Sequence, residues 1–242
     1  KLFLCWNICA LSYAVIYICT HVKDLDEQNK IFKYVETYLM RRIIIKAKNK
    51  NYNKLFKFSL INKQIDSFDK LKNYIEKKSE KVDSMPNNEE VKKGFDESEL
   101  INKQAKGVLY LIEKTIRNKL NSTELKSISE YSLEHVKPQN WKKHWNKKTL
   151  TEQQKAEINH IILTLGNLTL ISQRLNPSLG DSDWETKKEG NKKHKGLKAY
   201  AMGIEIFSEY LQEKEWNEKI IKKRAKELYN YSVNEVWNLE NN

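Results

Sequence analysis

Two short runs, "YSLEHV" at 131–136 and "LTLIS" at 168–172, interrupt a chain whose apolar spacing is otherwise helical. Both are rich in β-branched, aromatic or aliphatic residues over a strand's length. A polar, helix-compatible segment from Thr151 to Ile162 separates them, so the two can pair as strands. The rest of the chain has little material for further strands and turns: 7 Gly and 3 Pro among 242 residues, with 31% charged residues, suit helices joined by polar loops. The expected class is therefore mainly α with one small β element, and 39% hydrophobic residues can furnish an ordinary core at this length.

Helical spacing is read in the opening run "LFLCWNICALSYAVIYICT", from Asp26 to Lys48, from Phe68 to Ile75, and again from Leu100 through Ile116 with a start near Ser98 and Glu99. It resumes at Trp184 to Lys188, Tyr200 to Leu211 and Trp216 to Tyr229. The sequence "KVDSMPNNEE" breaks the pattern, which suggests a helical segment over 1–82, a linker over 83–97 and a second domain over 98–242. The opening run is about long enough to span a bilayer, and a signal peptide is the other alternative. Asn7 and Ser12 interrupt it, it lacks a convincing small-residue cleavage site, and a polar helix follows. It reads as a buried core helix, with no stable membrane association and a cytoplasmic location. The chain begins inside this apolar run, as a fragment of a longer protein would. Cys5, Cys9 and Cys19 all fall here without cysteines elsewhere to pair with, and read as reduced, core-packed thiols.

The formal net charge of +12 favours a polyanionic partner. From Lys137 to Lys198 there are 13 Lys or Arg against 6 Asp or Glu, so the excess surrounds the two strand-like runs. Lys137, Lys142, Lys143, Lys147, Lys148, Arg174, Lys187 and Lys188 are the candidate contacts to double-stranded DNA, with anionic lipid headgroups as the other polyanion such charge suits, against the plainer reading of a solvated face. Hydrolysing a phosphodiester at neutral pH needs a base for water and a cation to offset charge on the phosphate and leaving oxygen. His135 offers an imidazole that is neutral at cellular pH. Glu134 and the amide oxygen of Asn176 are the nearest oxygen donors for a hard ion such as Mg²⁺.

Three stretches, "LEHVKPQNW", "LGNLTLISQRLNPSLGDSDWETKK" and the terminal pattern of Trp216, Ile220, Arg224, Leu228 and Trp237, together resemble the C-terminal HNH-type (His-Me finger) nuclease domain of GmrSD-like modification-dependent, type IV restriction enzymes. The resemblance extends over roughly residues 100 to 239, and "VETYLMRRIIIKAKNKNYNKLF" resembles the helical segment that precedes this domain in single-chain members. It implies a ββα-metal core in which His135 activates water, Asn167 braces the loop and hairpin, and Asn176 helps to hold Mg²⁺ or Mn²⁺. Glu134 takes the place of the adjacent acidic metal ligand. Neighbouring strand residues point to opposite faces, so Glu134 and His135 converge only if the strand twists or bulges.

The implied activity is that of a metal-dependent DNA endonuclease defending against foreign, modified DNA. The alternatives are a non-catalytic nucleic-acid-binding module with a degenerate nuclease fold and a membrane-associated scaffold. The family's nucleotide-dependent sensing domain, with its "DGQQR"-like motif, has no match in this chain and would be an upstream partner. The third site position is Asn176 where other members have His, which favours a hard ion. Trp141, Trp145 and Trp184 read as core anchors rather than base-stacking platforms. His144, His160 and His194 read as structural or phosphate-facing.

Overall fold

The computed structural model describes residues 9–48, 51–77, 83–145 and 149–239. The chain divides into two compact units, Lys1–Val91 with Trp237–Asn242, and Lys92–Val236.

The first unit is helical: α1 (Cys9–His21), α2 (Leu25–Ile44), a π-helical turn at Lys54–Ser59 running into α3 (Leu60–Asn62), α4 (Phe68–Glu76) and the start of α5 (Asn88–Glu97). Asp24 caps α2 by accepting from the Asp26 N–H, and Asp26 and Glu27 at its start with Arg41 and Arg42 at its end suit the helix dipole. In α1, Leu11, Ala14, Tyr17 and Ile18 are buried on one face, so that face packs into the core, while the other face leaves the apolar side chains of Tyr13 and Ile16 exposed. No helix among the described residues is long and apolar enough to cross a membrane. Cys19 is exposed rather than core-packed, because its position falls on the outer face of α1; Cys5 lies outside the described residues.

Arg41 and Arg42, in the last turn of α2, are buried. Arg41 donates from Nε and Nη2 to the Trp237 carbonyl at 3.0 and 2.7 Å, from Nη1 to the Pro86 carbonyl at 3.0 Å, and from Nη2 to Asn88 Oδ1 at 2.9 Å. Arg42 donates to the Lys48 carbonyl at 2.7 Å and lies over the rings of Tyr38 and Tyr52. A guanidinium fork can satisfy several orphan carbonyls at once, which is why the chain invests buried charge here. The stretch expected as linker is helical over Asn88–Glu97, since Asn87 and Glu90 cap one another reciprocally at 2.9 Å.

The second unit contains α6 (Asn102–Leu120), β1 (Ser132–His135), α7 (Glu152–Ile161), β2 (Leu168–Ile171), α8 (Pro177–Gly180), α9 (Trp184–Glu189), α10 (Leu197–Ala201), α11 (Glu205–Ser208) and α12 (Glu218–Tyr231). β1 and β2 pair antiparallel with Ser132 opposite Ile171, Leu133 opposite Leu170, Glu134 opposite Thr169 and His135 opposite Leu168. The two strand-like runs of the sequence are thus the two strands, and the mainly helical class holds. β2 is buried throughout, against α6 and α10, whereas β1 is half-buried and leaves its side chains accessible.

Thr151 and Gln154 form a capping box that starts α7. α6 begins at Asn102, later than Ser98, with Ile101 at its cap and no capping side chain. The expected helix over Tyr200–Leu211 is broken. Arg117 binds the Gly203 carbonyl, and the buried Glu113 carboxylate accepts the backbone N–H groups of Glu205 and Ile206 at 3.0 Å each, which starts α11 afresh. Glu113 also pairs with Arg117 at 2.6 Å, so this buried charge is fully partnered.

Candidate functional site

The site is built around the turn that feeds β2. Gly166 is required there by close approach: a Cβ would run into the Ile221 carbonyl of α12 and stand 3.0 Å from the Ala225 Cβ. The next residue, Asn167, is fully buried and uses its whole side-chain amide. Its Oδ1 accepts from the Lys137 N–H at 2.8 Å and from the Trp216 indole N–H at 2.9 Å. Its Nδ2 donates to the carbonyls of Lys137 and Ile162, both at 2.8 Å. The Asn167 carbonyl takes the Val136 N–H at 2.9 Å. One side chain thereby pins the second residue beyond β1, the end of α7 and the aromatic cluster to the same point.

Arg224 of α12 secures the turn from beneath. It is fully buried, donates from Nη1 to the carbonyls of Leu165, Gly166 and Leu168 at 3.3, 2.9 and 2.8 Å, and lies 5.2 Å from the centre of the Phe207 ring. Burial lowers its pKa to about 10, so it remains a cation at neutral pH. The tryptophans are core anchors: Trp141, Trp184 and Trp216 are buried, Trp184 packs 5.5 Å from Trp216, and the Trp184 indole N–H donates to the Glu213 carbonyl at 3.0 Å.

His135 ends β1, half-buried, with the Gln139 amide nitrogen 3.4 Å from its Nε2. Burial first, and then the nearby Lys187 ammonium, push its imidazole down to about 4. The ring is therefore neutral through the physiological range. In metal-free protein its NMR titration should centre near pH 4; a midpoint near the ordinary 6.5 would mean an open ring remote from Lys187. The unfolded chain takes up this proton near 6.5 and the native chain near 4, so the stability from a neutral His135 is complete above pH 6.5 and is lost as pH falls from there through 4.

Glu134 is held by Lys187, whose Nζ lies 2.7 Å from Glu134 Oε1 and also donates to the His135 carbonyl. Pairing of β1 with β2 is regular across Glu134 and His135, with no bulge to bring the two side chains to one face. Asn176 is exposed and caps α8, its Oδ1 accepting from the Ser178 N–H at 3.0 Å and from the Ser178 hydroxyl. Among the described residues no three His, Cys, Asp or Glu side chains gather as a metal site. The donors are nonetheless oxygens of the type a hard ion takes, and Glu134 already sits against a positive charge. In this structure Lys187 takes up Glu134 and the α8 cap takes up Asn176, so these two oxygens form no preformed cage.

Three of the expected DNA contacts are committed inward. Lys187 is fully buried on Glu134. Lys188 is buried beside Glu185 at 3.0 Å and donates to the Glu213 carbonyl. Lys137 is buried, pairs with Glu218, and stands 5.1 Å from the centre of the Trp141 ring. Each carbon stem fills a hydrophobic site and its ammonium finds an acceptor there, so none presents its charge to a phosphate. Lys142, Lys143 and Arg174 are exposed, and Lys147 and Lys148 lie outside the described residues.

Two side chains near the site escape a motif-based reading. Gln139 lies beside the His135 ring, and Asp181 faces Lys187 and accepts from Asn140 Nδ2 at 3.3 Å. Asp181 does fall in the "SLGDSDW" stretch, but no spacing ties it to Lys187 before the fold does.

No curated protein matches this chain. The family model described as GmrSD restriction endonucleases, C-terminal domain, matches residues 85–230, more than half of the chain, and that span contains both strands, the Asn167 brace and Arg224. The chain therefore belongs to the GmrSD restriction endonuclease family, as the nuclease portion of such an enzyme.

Proposed function

We propose that the second unit is a metal-dependent DNA endonuclease of the ββα-metal, HNH type, acting on foreign or modified double-stranded DNA. The observation that supports this most is the pairing of a neutral, half-buried imidazole at His135 with a loop locked immediately after it by Asn167. A base for water must hold its lone pair at the operating pH and must be aimed, and these two features supply both conditions.

In this reading His135 takes a proton from the attacking water. The contact from Gln139 is long, at 3.4 Å, and gives way to that water at little cost. Lys187, by holding the His135 carbonyl and the Glu134 carboxylate, fixes the end of β1 against α9. Glu134 and the amide oxygen of Asn176 would hold Mg²⁺ or Mn²⁺, with water and substrate phosphate completing the shell. The bound ion would offset charge on the phosphate and the leaving oxygen.

A second reading, a DNA-binding module without catalysis, is favoured by one observation: the charge now opposite Glu134 is Lys187. Incubating the purified chain with supercoiled plasmid, bearing modified or unmodified bases, separates the two. Nicked and linear products should appear with Mg²⁺ or Mn²⁺ and not with EDTA. Binding without strand breaks in either metal would select the second reading, and breaks that persist in EDTA would remove the metal.

A further inference from the structure

Part of the basic surface expected around the strands is turned inward, which leaves open where a nucleic-acid backbone runs. A groove of about 670 Å³ opens beside β1, bounded by the start of α6, the approach to β1, and the segment after β2. Lys103, Lys106 and Arg174 line it together with Glu134. Lys103 and Lys106 are three apart on α6 and so share a helix face. Lys106 is oriented by donating to the Tyr131 carbonyl at 2.9 Å. Lys103 and Arg174 are exposed, and among the described residues neither has an acidic partner.

The charge balance separates this groove from two others in the same unit. A groove between α7 and α12 presents three lysines against four carboxylates, and one beside Trp145 and Trp184 presents two lysines against four. Here three cations face a single carboxylate, which Lys187 already offsets. The first turn of α6 adds no acidic residue and no capping side chain, so the positive end of that long helix stays uncompensated beside the lysines.

We infer that this groove is the track for the phosphate backbone of duplex DNA, with Lys103, Lys106 and Arg174 contacting phosphates where the backbone passes the Glu134 face of β1. The inference rests on the nuclease reading for its substrate, but it concerns binding and is tested without cleavage. Lys103 and Arg174 position the duplex and read no bases.

The test uses the full chain in EDTA, with two unrelated duplexes across a salt series, comparing wild type with Lys103→Gln/Arg174→Gln. Both positions are exposed, so folding is kept, and circular dichroism checks it. The pair should weaken binding equally on both duplexes and flatten the slope of log affinity against log salt by about 1.8, or about 0.9 per contact. Lys106→Met, which also removes the bond to Tyr131, should act in the same direction. Unchanged affinity and slope would overturn the track, as would a loss on one duplex alone or a wild-type chain that binds no duplex at low salt. If plasmid is never cut but the pair still flattens the slope, the nuclease reading fails and the track stands. If plasmid is cut and the pair binds as wild type does, the reverse holds.

Discussion

His135→Ala should reduce plasmid cleavage by about 10²–10⁴, the usual range for loss of a general base, while leaving duplex affinity nearly unchanged. The imidazole is neutral and half-buried, so it contributes no charge to phosphate binding, and the cations of the α6 groove lie on other elements. Among the described residues the ring's side-chain hydrogen bond is the long one to Gln139, so its removal strands no buried polar partner of the hairpin. Single-turnover cleavage and binding in EDTA, measured on the same preparation, check both halves of the expectation. A variant that cuts at the wild-type rate would move the base elsewhere. A variant that loses affinity as severely as rate would make His135 a binding residue.

Asn167→Ala should destabilise the second unit by about 3–5 kcal/mol, more than most single substitutions. It strands the Lys137 N–H, the Trp216 indole N–H and the carbonyls of Lys137 and Ile162 in the interior. Each such loss costs about 1–3 kcal/mol when no water reaches the group, and partial relaxation keeps the total below the sum. Asn167→Asp is the sharper variant. It keeps the accepting oxygen but turns a second oxygen toward two carbonyls that need a donor, so it should be as damaging as Ala. Urea unfolding followed by tryptophan fluorescence measures both, and a loss under about 1 kcal/mol in either would show that the brace is dispensable.

The strands were legible in the sequence because short runs rich in β-branched, aromatic or aliphatic residues, such as Leu168–Ile171, stand either side of a polar segment, whereas the caps supplied by Asp24 and Thr151 emerge only with the fold. Asn167 was legible as a brace through its place in a motif, and His135 as a strand residue. The fate of the lysines was not. Lys137, Lys187 and Lys188 look in sequence like Lys142 and Lys143, and only the placement of Glu218, Glu134 and the Glu213 carbonyl, 25 to 81 residues away, decides which ammonium turns inward. The break before α11 was hidden for the same reason, since the Glu113 carboxylate that starts this helix comes from a helix 92 residues earlier. The groove cations Lys103 and Lys106 lie outside the stretch of highest charge density, where composition draws no notice to them.

Arg41 has a thermodynamic consequence for residues far from it along the chain. One guanidinium grips Pro86 and Asn88 on one side and Trp237 on the other, so the chain between them leaves and returns at a single anchored point. When those roughly 150 residues unfold while the anchor holds, they do so as a tethered ring rather than a free coil. By the logarithmic scaling of ring closure, the ends of such a length forgo about 4 kcal/mol of freedom, apart from a constant. An arginine in the second helix thus limits the disorder available to the nuclease unit in its denatured form, and cutting the chain before Trp237 would release it.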